Sequence, residues 1–437
     1  MHSSTYSRRR LLSMLGIGGL GMGVLGPALA GCAPSGTNTS PNTENRSTPQ
    51  GPQDFAFASW SLAEEASKPV VQGLVDSFAK DKGISVDTVV YPYNEYLNQL
   101  TLQVRGGQFA GAAQLDISWL GALASLGKLR DLGDLAAGRG YTESALAAGT
   151  YDGVQYGLPW TIGAIGLIAN SELLQRAGIT TPPTTIEDFE TVLTELKGLG
   201  DGIIPYAAST KVAQLKDILV WMQTFGSPLL EGDTVTIGDD ASVEAVAWYK
   251  KLYDQKLIAP DVDRFDARAL FAQGKAVMYD DAVVGKSAVL AEAPDKSLAE
   301  KLEPWSRPVL KAGDEPRALL WGHAVVVVEG EGADTAAEFA QWLTSDLDTV
   351  VGYFEALSLP PTTQEGLESE AVKNDTFTAA FTERITATAT ANPFWKFPEY
   401  AQMEAAVAEQ VQAVLVGNAS PAEAMKAAGE AVQALVS

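Results

Sequence analysis

Ile162–Ala169 is an almost uninterrupted apolar run, in which glycine is the only residue without an apolar side chain. A short run of this kind predicts a strand buried on both faces, as in a parallel sheet covered by helices. Shortly before it, Asp152-Gly153 predicts a two-residue hairpin, because a type I′ turn requires positive φ at both central positions. After it, Asn170 is placed to cap a short helix that Gly178 ends. The stretch therefore predicts a hairpin, a buried strand and a helix in succession.

Upstream of this stretch, the apolar positions alternate between the period of strands and that of helices. Short strands are predicted at Phe55–Trp60, Ile84–Tyr91 and Leu115–Trp119, with an amphipathic helix in each interval. Strand–helix–strand alternation builds a doubly wound sheet, whose ligands bind beyond the carboxyl ends of the strands. The pattern therefore places a candidate ligand edge at Trp60 and at Asp116–Trp119.

Downstream, capping signals begin two further helices. Thr185 and Asp188 form a capping box for a helix that reaches about Leu199, and Ser420-Pro421 with Glu423 begins the last helix. The other predicted elements are strands at Ile203–Ala208 and Leu319–Val328 and helices at Leu215–Phe225, Ala241–Asp254, Thr335–Leu343 and Tyr400–Val416.

Length and charge limit the architecture and the partners. The 437 residues are too many for one comfortable core and suit two lobes. The 31 Lys and Arg are outnumbered by 54 Asp and Glu, which gives a net charge of −23, and removal of residues 1–31, with three arginines and no acid, leaves −26. So acidic a surface argues against nucleic acid as a partner and against docking of the folded body on anionic lipid.

The N-terminus has the composition of an export signal. Arg8–Arg10 precede the apolar segment Leu11–Leu29, whose many glycines make it poor material for a permanent spanning helix. Leu29–Cys32 matches the cleavage box of bacterial lipoproteins, which implies cleavage before Cys32 and acylation of its thiol; an uncleaved membrane anchor is the alternative. We expect residues 1–31 to be a lipoprotein signal peptide for the twin-arginine route or, alternatively, the general secretory route. Residues 32–53, rich in Ser, Thr, Asn and Pro, read as a disordered tether.

Several separated segments resemble one protein family. They are Tyr151–Asn170, Phe271–Met278, Leu319–Val328, Leu359–Pro361 and Ser420–Ala424. In order and spacing they resemble the bacterial extracellular solute-binding proteins of ABC importers, in the sugar-binding branch (family 1). The chain departs from the family pattern at Thr185-Ile186 and at Val284, where tryptophan is usual, and at Val277, which replaces a small alanine.

The resemblance implies a fold and a function. The fold is an α/β, two-lobed, periplasmic-binding-protein-like clamp (type II), in which each lobe is a doubly wound sheet flanked by helices and three crossings join the lobes. Lobe 1 would comprise residues 54–160 and 322–365, and lobe 2 residues 161–321 and 366–437. The protein would be a lipid-anchored monomer on the outer face of the cytoplasmic membrane that captures a sugar by lobe closure and delivers it to an ABC transporter permease, without a cofactor or metal.

A sugar site needs aromatic platforms for C–H faces and polar groups, carboxylates above all, for the rim of hydroxyls. The tryptophans have core or hinge packing as their alternative role and Asp116 has helix capping. For Asp280 and Asp281, one of which is expected to contact ligand, the alternative is a solvated turn. His323 fits a satisfied core position better than a ligand contact. The candidates are Trp60, Glu65, Asp116, Trp119, Trp160, Gln214, Trp221, Asp280, Asp281, Trp321 and Trp395. Arg105 and Arg268 are not expected near the cleft, which favours a neutral sugar over an anion.

Three other functions are compatible with the sequence. A polyamine would use the same carboxylates and aromatic rings through charge and cation–π contacts. A secreted carbohydrate-active enzyme needs only two carboxylates, although Cys32 is the only cysteine and His323 the only histidine beyond the signal peptide. A lipoprotein that senses or adheres without transport would carry the same fold signature.

Overall fold

The computed structural model describes residues 51–200 and 202–436. The chain from Gln50 onward forms one compact unit. The expected signal peptide, Cys32 and all of the expected tether except residues 51–53 lie outside the described residues. Within the described part, no helix combines the length and the apolar character that crossing a membrane requires.

The strands of the described residues are numbered in chain order. They are β1 (Phe55–Ala58), β2 (Val86–Val89), β3 (Gly111–Asp116), β4 (Thr150–Tyr151), β5 (Val154–Gln155), β6 (Gly157–Asn170), β7 (Ile204–Ala207), β8 (Leu230–Glu231), β9 (Thr234–Val235), β10 (Ala276–Asp281), β11 (Leu302–Trp305), β12 (Ala318–Val328) and β13 (Ala389–Thr390).

The α-helices are numbered in the same way. They are α1 (Lys68–Lys82), α2 (Tyr93–Arg105), α3 (Leu120–Ala124), α4 (Gly133–Ala136), α5 (Glu143–Ala148), α6 (Ser171–Arg176), α7 (Ile186–Lys197), α8 (Ile218–Phe225), α9 (Asp240–Asp254), α10 (Arg264–Ala272), α11 (Gly285–Glu292), α12 (Ala333–Ser345), α13 (Leu347–Leu357), α14 (Gln364–Leu367), α15 (Glu370–Asn374), α16 (Thr376–Arg384), α17 (Tyr400–Leu415) and α18 (Pro421–Gln433).

One mixed sheet of nine strands runs through the molecule in the order β2-β1-β3-β12-β6-β10-β7, with β11 paired to β6 and β13 to β12. We call β2, β1 and β3 the first strand group and β7, β10 and β11 the second strand group. The pairs β1–β2, β1–β3 and β7–β10 are parallel, as strand–helix–strand connections require. The long strands β6 and β12 lie between the groups and join them.

Strand β6 changes partners along its length. Gly157–Ile165 pairs with β12, whereas Gly166–Asn170 pairs with β10 and β11, and every one of these pairs is antiparallel. The buried strand expected at Ile162–Ala169 is therefore confirmed, but its expected parallel setting is wrong. Its apolar run follows from the burial of nearly every residue in it, and that burial does not depend on the direction of the neighbouring strands.

The two strand groups have separate aromatic packing. Behind the first group, the ring of Phe57 on β1 lies 5.1 Å from that of Phe339 on α12. Behind the second group, Trp221 on α8 packs between Phe189 on α7, at 6.0 Å, and Trp248 on α9, at 4.8 Å. Buried rings of this size hold each helix layer against its own strands.

Local signals in the sequence explain most turns and helix starts. Asp152 and Gly153 have φ of 49° and 78°, which confirms the hairpin between β4 and β5. Both expected capping boxes, at Thr185 and at Ser420, are formed. Asn170 caps α6, because its side-chain oxygen accepts from the backbone N–H groups of Glu172 and Leu173.

Three strand ends differ from the sequence-based expectation. Trp60 lies beyond β1, immediately before a 3₁₀ turn, and Trp119 ends another 3₁₀ turn after β3. The second turn begins because the Asp116 carboxylate accepts from the backbone N–H of Ser118 at 3.0 Å, so that the chain leaves the sheet there. Asp281, expected after a strand, is the last residue of β10.

Candidate functional site

Two adjoining hollows lie where β1 and β10 end and β12 passes between the groups. The inner cavity has a volume of about 40 Å³, and the outer groove beside it has about 300 Å³. Glu64, Tyr93, Phe265 and Arg268 line both of them. We treat the two hollows as one cleft. One wall, which we call the wall of the first strand group, comes from the turn after β1, the start of α2 and β12. The other wall comes from α10 and the end of β10.

The wall from the first strand group is aromatic. The Trp60 ring meets the rings of Tyr93, Trp119 and His323 edge to face, with centroids 5.5, 5.3 and 4.8 Å apart. Trp321 on β12 lies 4.5 Å from His323 and completes the row along the cavity. These rings fix one another, so the wall keeps its shape without a ligand contact.

The opposite wall holds two arginines that are each paired with a carboxylate. Arg268 donates from Nε and Nη2 to the two oxygens of Asp281, at 2.6 and 2.9 Å. Burial disfavours the charge of Arg268, but Asp281 more than offsets this, so the pKa of Arg268 lies above its ordinary value. Arg264 donates to Asp217 at 2.6 Å and to Gln214 at 3.2 Å. Both guanidinium groups are thus held in place by partners behind them.

Glu64 is a carboxylate of the inner cavity that is not paired with either arginine. It follows the Trp60 turn and receives one side-chain hydrogen bond, from the hydroxyl of Ser67 at 3.3 Å. Burial raises the pKa of Glu64, and the opposing effects of Arg268 and Ser67 only partly compensate.

His323 is neutral and oriented by the residue beneath it. Gln114 accepts from Ser59 through Oε1 at 2.5 Å and donates from Nε2 to Ser61, which fixes the orientation of its amide. The second hydrogen of Nε2 is therefore donated to Nδ1 of His323, at 3.1 Å. This assigns the ring hydrogen to Nε2. Burial lowers the pKa of His323 to about 4, with Asp116 acting weakly in the opposite direction.

Five of the eleven candidates from the sequence line the cleft. They are Trp60, Gln214, Asp281 and Trp321 in the inner cavity and Glu65 in the outer groove. Asp281 reaches the cavity wall as the partner of Arg268. Gln214 is held by Asn94, to which its Nε2 donates at 3.0 Å.

Two candidates lie one layer behind the aromatic wall. Trp119 packs against Trp60 and stacks near Tyr96, at 5.9 Å. Asp116 accepts from the Tyr93 hydroxyl at 2.9 Å and caps the turn, which is the alternative role that the sequence left open.

The remaining four lie outside the cleft lining. Trp160 stacks on Tyr353 at 4.5 Å, and Trp221 is buried beneath the guanidinium of Arg307 at 4.9 Å. Asp280 pairs with Arg307, and Trp395 donates to Glu404 at 3.3 Å. Each of them has a packing or pairing role in the described structure.

Glu64 and Arg268 line the cleft, although Glu64 was not among the predicted candidates and Arg268 was expected elsewhere. The expectation that Arg268 lies away from the cleft is wrong, because α10 packs directly on β10 and turns this face toward Asp281. The spacing of Arg264 and Arg268, four residues apart on one helix with Phe265 beside them, was the available signal.

A family model described as bacterial extracellular solute-binding protein matches residues 73–380 of the chain. This chain belongs to that family. The family is exported and consists of binding proteins rather than enzymes, in agreement with the expectation from sequence.

Individual relatives are more distant. The match to a binding protein of Brucella abortus (strain 2308) is 27% identical over 248 residues, which are 54% of this chain and 60% of the relative, so the match spans about three fifths of the relative's length. The maltodextrin-binding protein MdxE of Bacillus subtilis (strain 168) is 22% identical over 354 residues, 78% of this solute-binding protein and 81% of MdxE.

Solved structures share the fold. The GacH receptor of Streptomyces glaucescens, whose structures include complexes with acarbose, superposes with a TM-score of 0.80 at 24% identity, over 89% of this chain and 99% of that one. Maltose-bound T. maritima MalE3 superposes with a TM-score of 0.77 at 18% identity, over 88% and 100%. The expected α/β periplasmic-binding-protein-like fold is confirmed, with helices flanking a mixed sheet.

Proposed function

We propose that this protein binds a sugar or polyol in the cleft and delivers it to an ABC transporter permease. The observation that carries the proposal is the pairing of an aromatic wall, with Trp60 and Trp321, against fixed polar groups on α10 and β10. Aromatic faces suit the C–H surface of a sugar, and hydrogen-bond groups that are already held in place read its hydroxyls at little cost in entropy. The relatives named for maltodextrin, acarbose and maltose support the same ligand class.

Binding in this proposal requires the walls to separate and close. The inner cavity, at about 40 Å³, holds only a few water molecules, and the outer groove of about 300 Å³ does not include Trp321 or His323. A sugar ring can therefore reach these two side chains only if the walls move apart. The proposed lobes are residues 54–160 with 322–365 and residues 161–321 with 366–437, and the change of partner on β6 after Ile165 lies near the first crossing. Ligand contacts to both walls would shift the population toward the closed form.

Attachment to the membrane belongs to the same proposal. The motif at Leu29–Cys32 supports cleavage by the lipoprotein route, and the tether at residues 32–53 gives the body reach from the membrane. Export by the twin-arginine route rests on Arg8–Arg10, and a monomeric state fits a carrier that must present one cleft to a permease. In cells, Cys32→Ser should abolish incorporation of radiolabelled palmitate and release the protein from the membrane fraction. Unchanged labelling would refute the anchor.

The ligand is tested by titration calorimetry of the purified full-length chain against neutral mono- and oligosaccharides, polyols and polyamines. Trp321→Ala should weaken binding of the best sugar by about 1–3 kcal/mol, since it removes an aromatic face from the cavity. The matched control is Trp342→Ala, because Trp342 is half-buried on α12 and packs against Phe78 away from the cleft. Equal affinity of the two variants would place the site elsewhere, and binding of polyamines alone would replace the sugar.

A further inference from the structure

Resting on the proposed function, we propose that the preferred ligand is an amino-substituted sugar whose protonated amine binds to Glu64. The amine narrows the sugar assignment to one class of sugar, and binding of neutral sugars tests that assignment separately. The charge balance of the cleft and the unpaired groups that line it support the amine.

The ion pairs around the inner cavity leave one carboxylate without a partner. Arg264 and Arg268 line the cavity with Asp281 and Glu64, and Asp217 lies behind the lining. Since Arg264 pairs with Asp217 and Arg268 with Asp281, the Glu64 carboxylate is left over when Asp217 is counted with the cavity. Among residues 51–200 and 202–436, no basic side chain lies within 4.0 Å of that carboxylate. The pairs are therefore neutral as units, and the cavity as a whole carries one excess negative charge.

The outer groove has the same sign. Its charged lining consists of Glu64, Glu65, Glu292 and Arg268, of which Arg268 is already neutralised by Asp281. Neither Glu65 nor Glu292 forms an ion pair within the part of the chain that the structure describes. A ligand would therefore enter through a negative field, which attracts cations and repels sugar acids and sugar phosphates.

The aromatic wall suits a cation as well as a sugar ring. Trp60, Tyr93 and Trp321 line the inner cavity together with Glu64. An ammonium group over such rings gains a cation–π attraction in addition to its ion pair. An example on the opposite wall is the Arg268 guanidinium, which lies 5.3 Å from the ring centre of Phe265.

A second, independent observation indicates that the ligand also carries hydroxyls. His323 lines the cavity and is only 4% exposed, and its Nε2 hydrogen has no hydrogen-bond partner among the described residues. Arg268 uses Nε and Nη2 for Asp281, so its Nη1 likewise has no partner within the described range. Both are donors and neither can bind an ammonium group. A ligand with hydroxyl oxygens would satisfy both donors, as an amino sugar can and a linear polyamine cannot.

The test compares matched ligands on the unmodified full-length chain near pH 7. The probes are glucose, glucosamine and N-acetylglucosamine, their oligomers from cellulose, chitosan and chitin, and spermidine. We expect a glucosamine ligand to bind about tenfold or more tightly than its glucose counterpart, and N-acetylation to remove the gain, since it removes the charge. Glu64→Gln should lower the affinity for the amine about tenfold and leave the neutral counterpart within about twofold. The control Glu195→Gln, at an exposed glutamate of α7 outside the cleft lining, should change both little.

The contrary results separate the two proposals. Tighter binding of the neutral sugar would overturn the amine assignment and leave the sugar site standing. Tightest binding of spermidine would overturn the requirement for hydroxyls. Absence of binding both for these probes and for the wider calorimetric panel of neutral mono- and oligosaccharides and polyols would refute the proposed function itself. The ligand comparison on the unmodified chain decides these cases even if Glu64→Gln does not fold.

Discussion

The acid sensitivity of the fold should depend on His323. Its pKa is about 4 in the folded protein, because burial disfavours the imidazolium, against an ordinary value of 6.5. Between pH 4 and pH 6.5 the unfolded chain binds a proton at His323 and the folded chain does not. The contribution of His323 to the free energy of unfolding is therefore fully present above pH 6.5 and is lost as the pH falls toward 4. The two pKa values differ by about 2.5, and each unit corresponds to about 1.36 kcal/mol of stability. Complete protonation of His323 would therefore lower the free energy of unfolding by roughly 3 kcal/mol.

The assay is urea unfolding of wild type and His323→Gln at pH 7.5 and at pH 4.5. Glutamine can accept from Gln114 but does not titrate, so the variant should lose about 2–3 kcal/mol less than wild type between the two pH values, whatever its stability at pH 7.5. Carboxylates titrate in both proteins, and their contribution cancels in the comparison. Parallel pH profiles, within about 0.5 kcal/mol, would show that His323 is hydrated or ion-paired and would refute the burial argument.

Two further predictions concern the wall opposite the aromatic row. Asp281→Asn leaves the buried charge of Arg268 without its partner and should cost about 3–5 kcal/mol of stability. Adding Arg268→Met to this variant should restore a large part of that stability, because it removes the unpaired charge. A double variant that is less stable than Asp281→Asn would contradict the pairing. Asn94→Ala removes the hydrogen bond from Gln214 that joins the two walls, so sugar affinity should fall by at most about 1 kcal/mol with little change in melting temperature. A large loss of melting temperature with unchanged affinity would show that this contact supports the fold rather than closure.

Local chemistry made much of the fold predictable. The hairpin at Asp152-Gly153 and the capping boxes at Thr185 and Ser420 depend on residues within four positions of one another, and all three are formed. Strand direction around β6 depends on which distant strands meet it, and its apolar run carries no information on that. The parallel expectation therefore failed even though the strand and its burial were predicted correctly.

The site was harder to predict because aromatic residues and carboxylates serve several roles. The sequence gives no means of separating Trp60, which lines the cleft, from Trp160 or Trp221, which pack behind other elements. Each of them lies close to a strand or crossing and is at most 2% exposed. Glu64 and Glu65 posed the same difficulty at shorter range, since they are neighbours in one turn but only Glu64 reaches the inner cavity.

The positions of the unpaired groups connect selectivity with closure. A ligand shifts a conformational equilibrium only by the difference between its contacts in the two forms. Glu64 and His323 belong to the wall of the first strand group and β12, whereas Arg268 belongs to α10 on the other side. A ligand that used Glu64 alone would bind equally well to separated walls and would leave the clamp open. A ligand that offers an amine to Glu64 and hydroxyl oxygens to Arg268 gains its second set of contacts only on closure. Glu64 and Arg268 together would therefore both select the ligand and stabilise the closed form when it is bound.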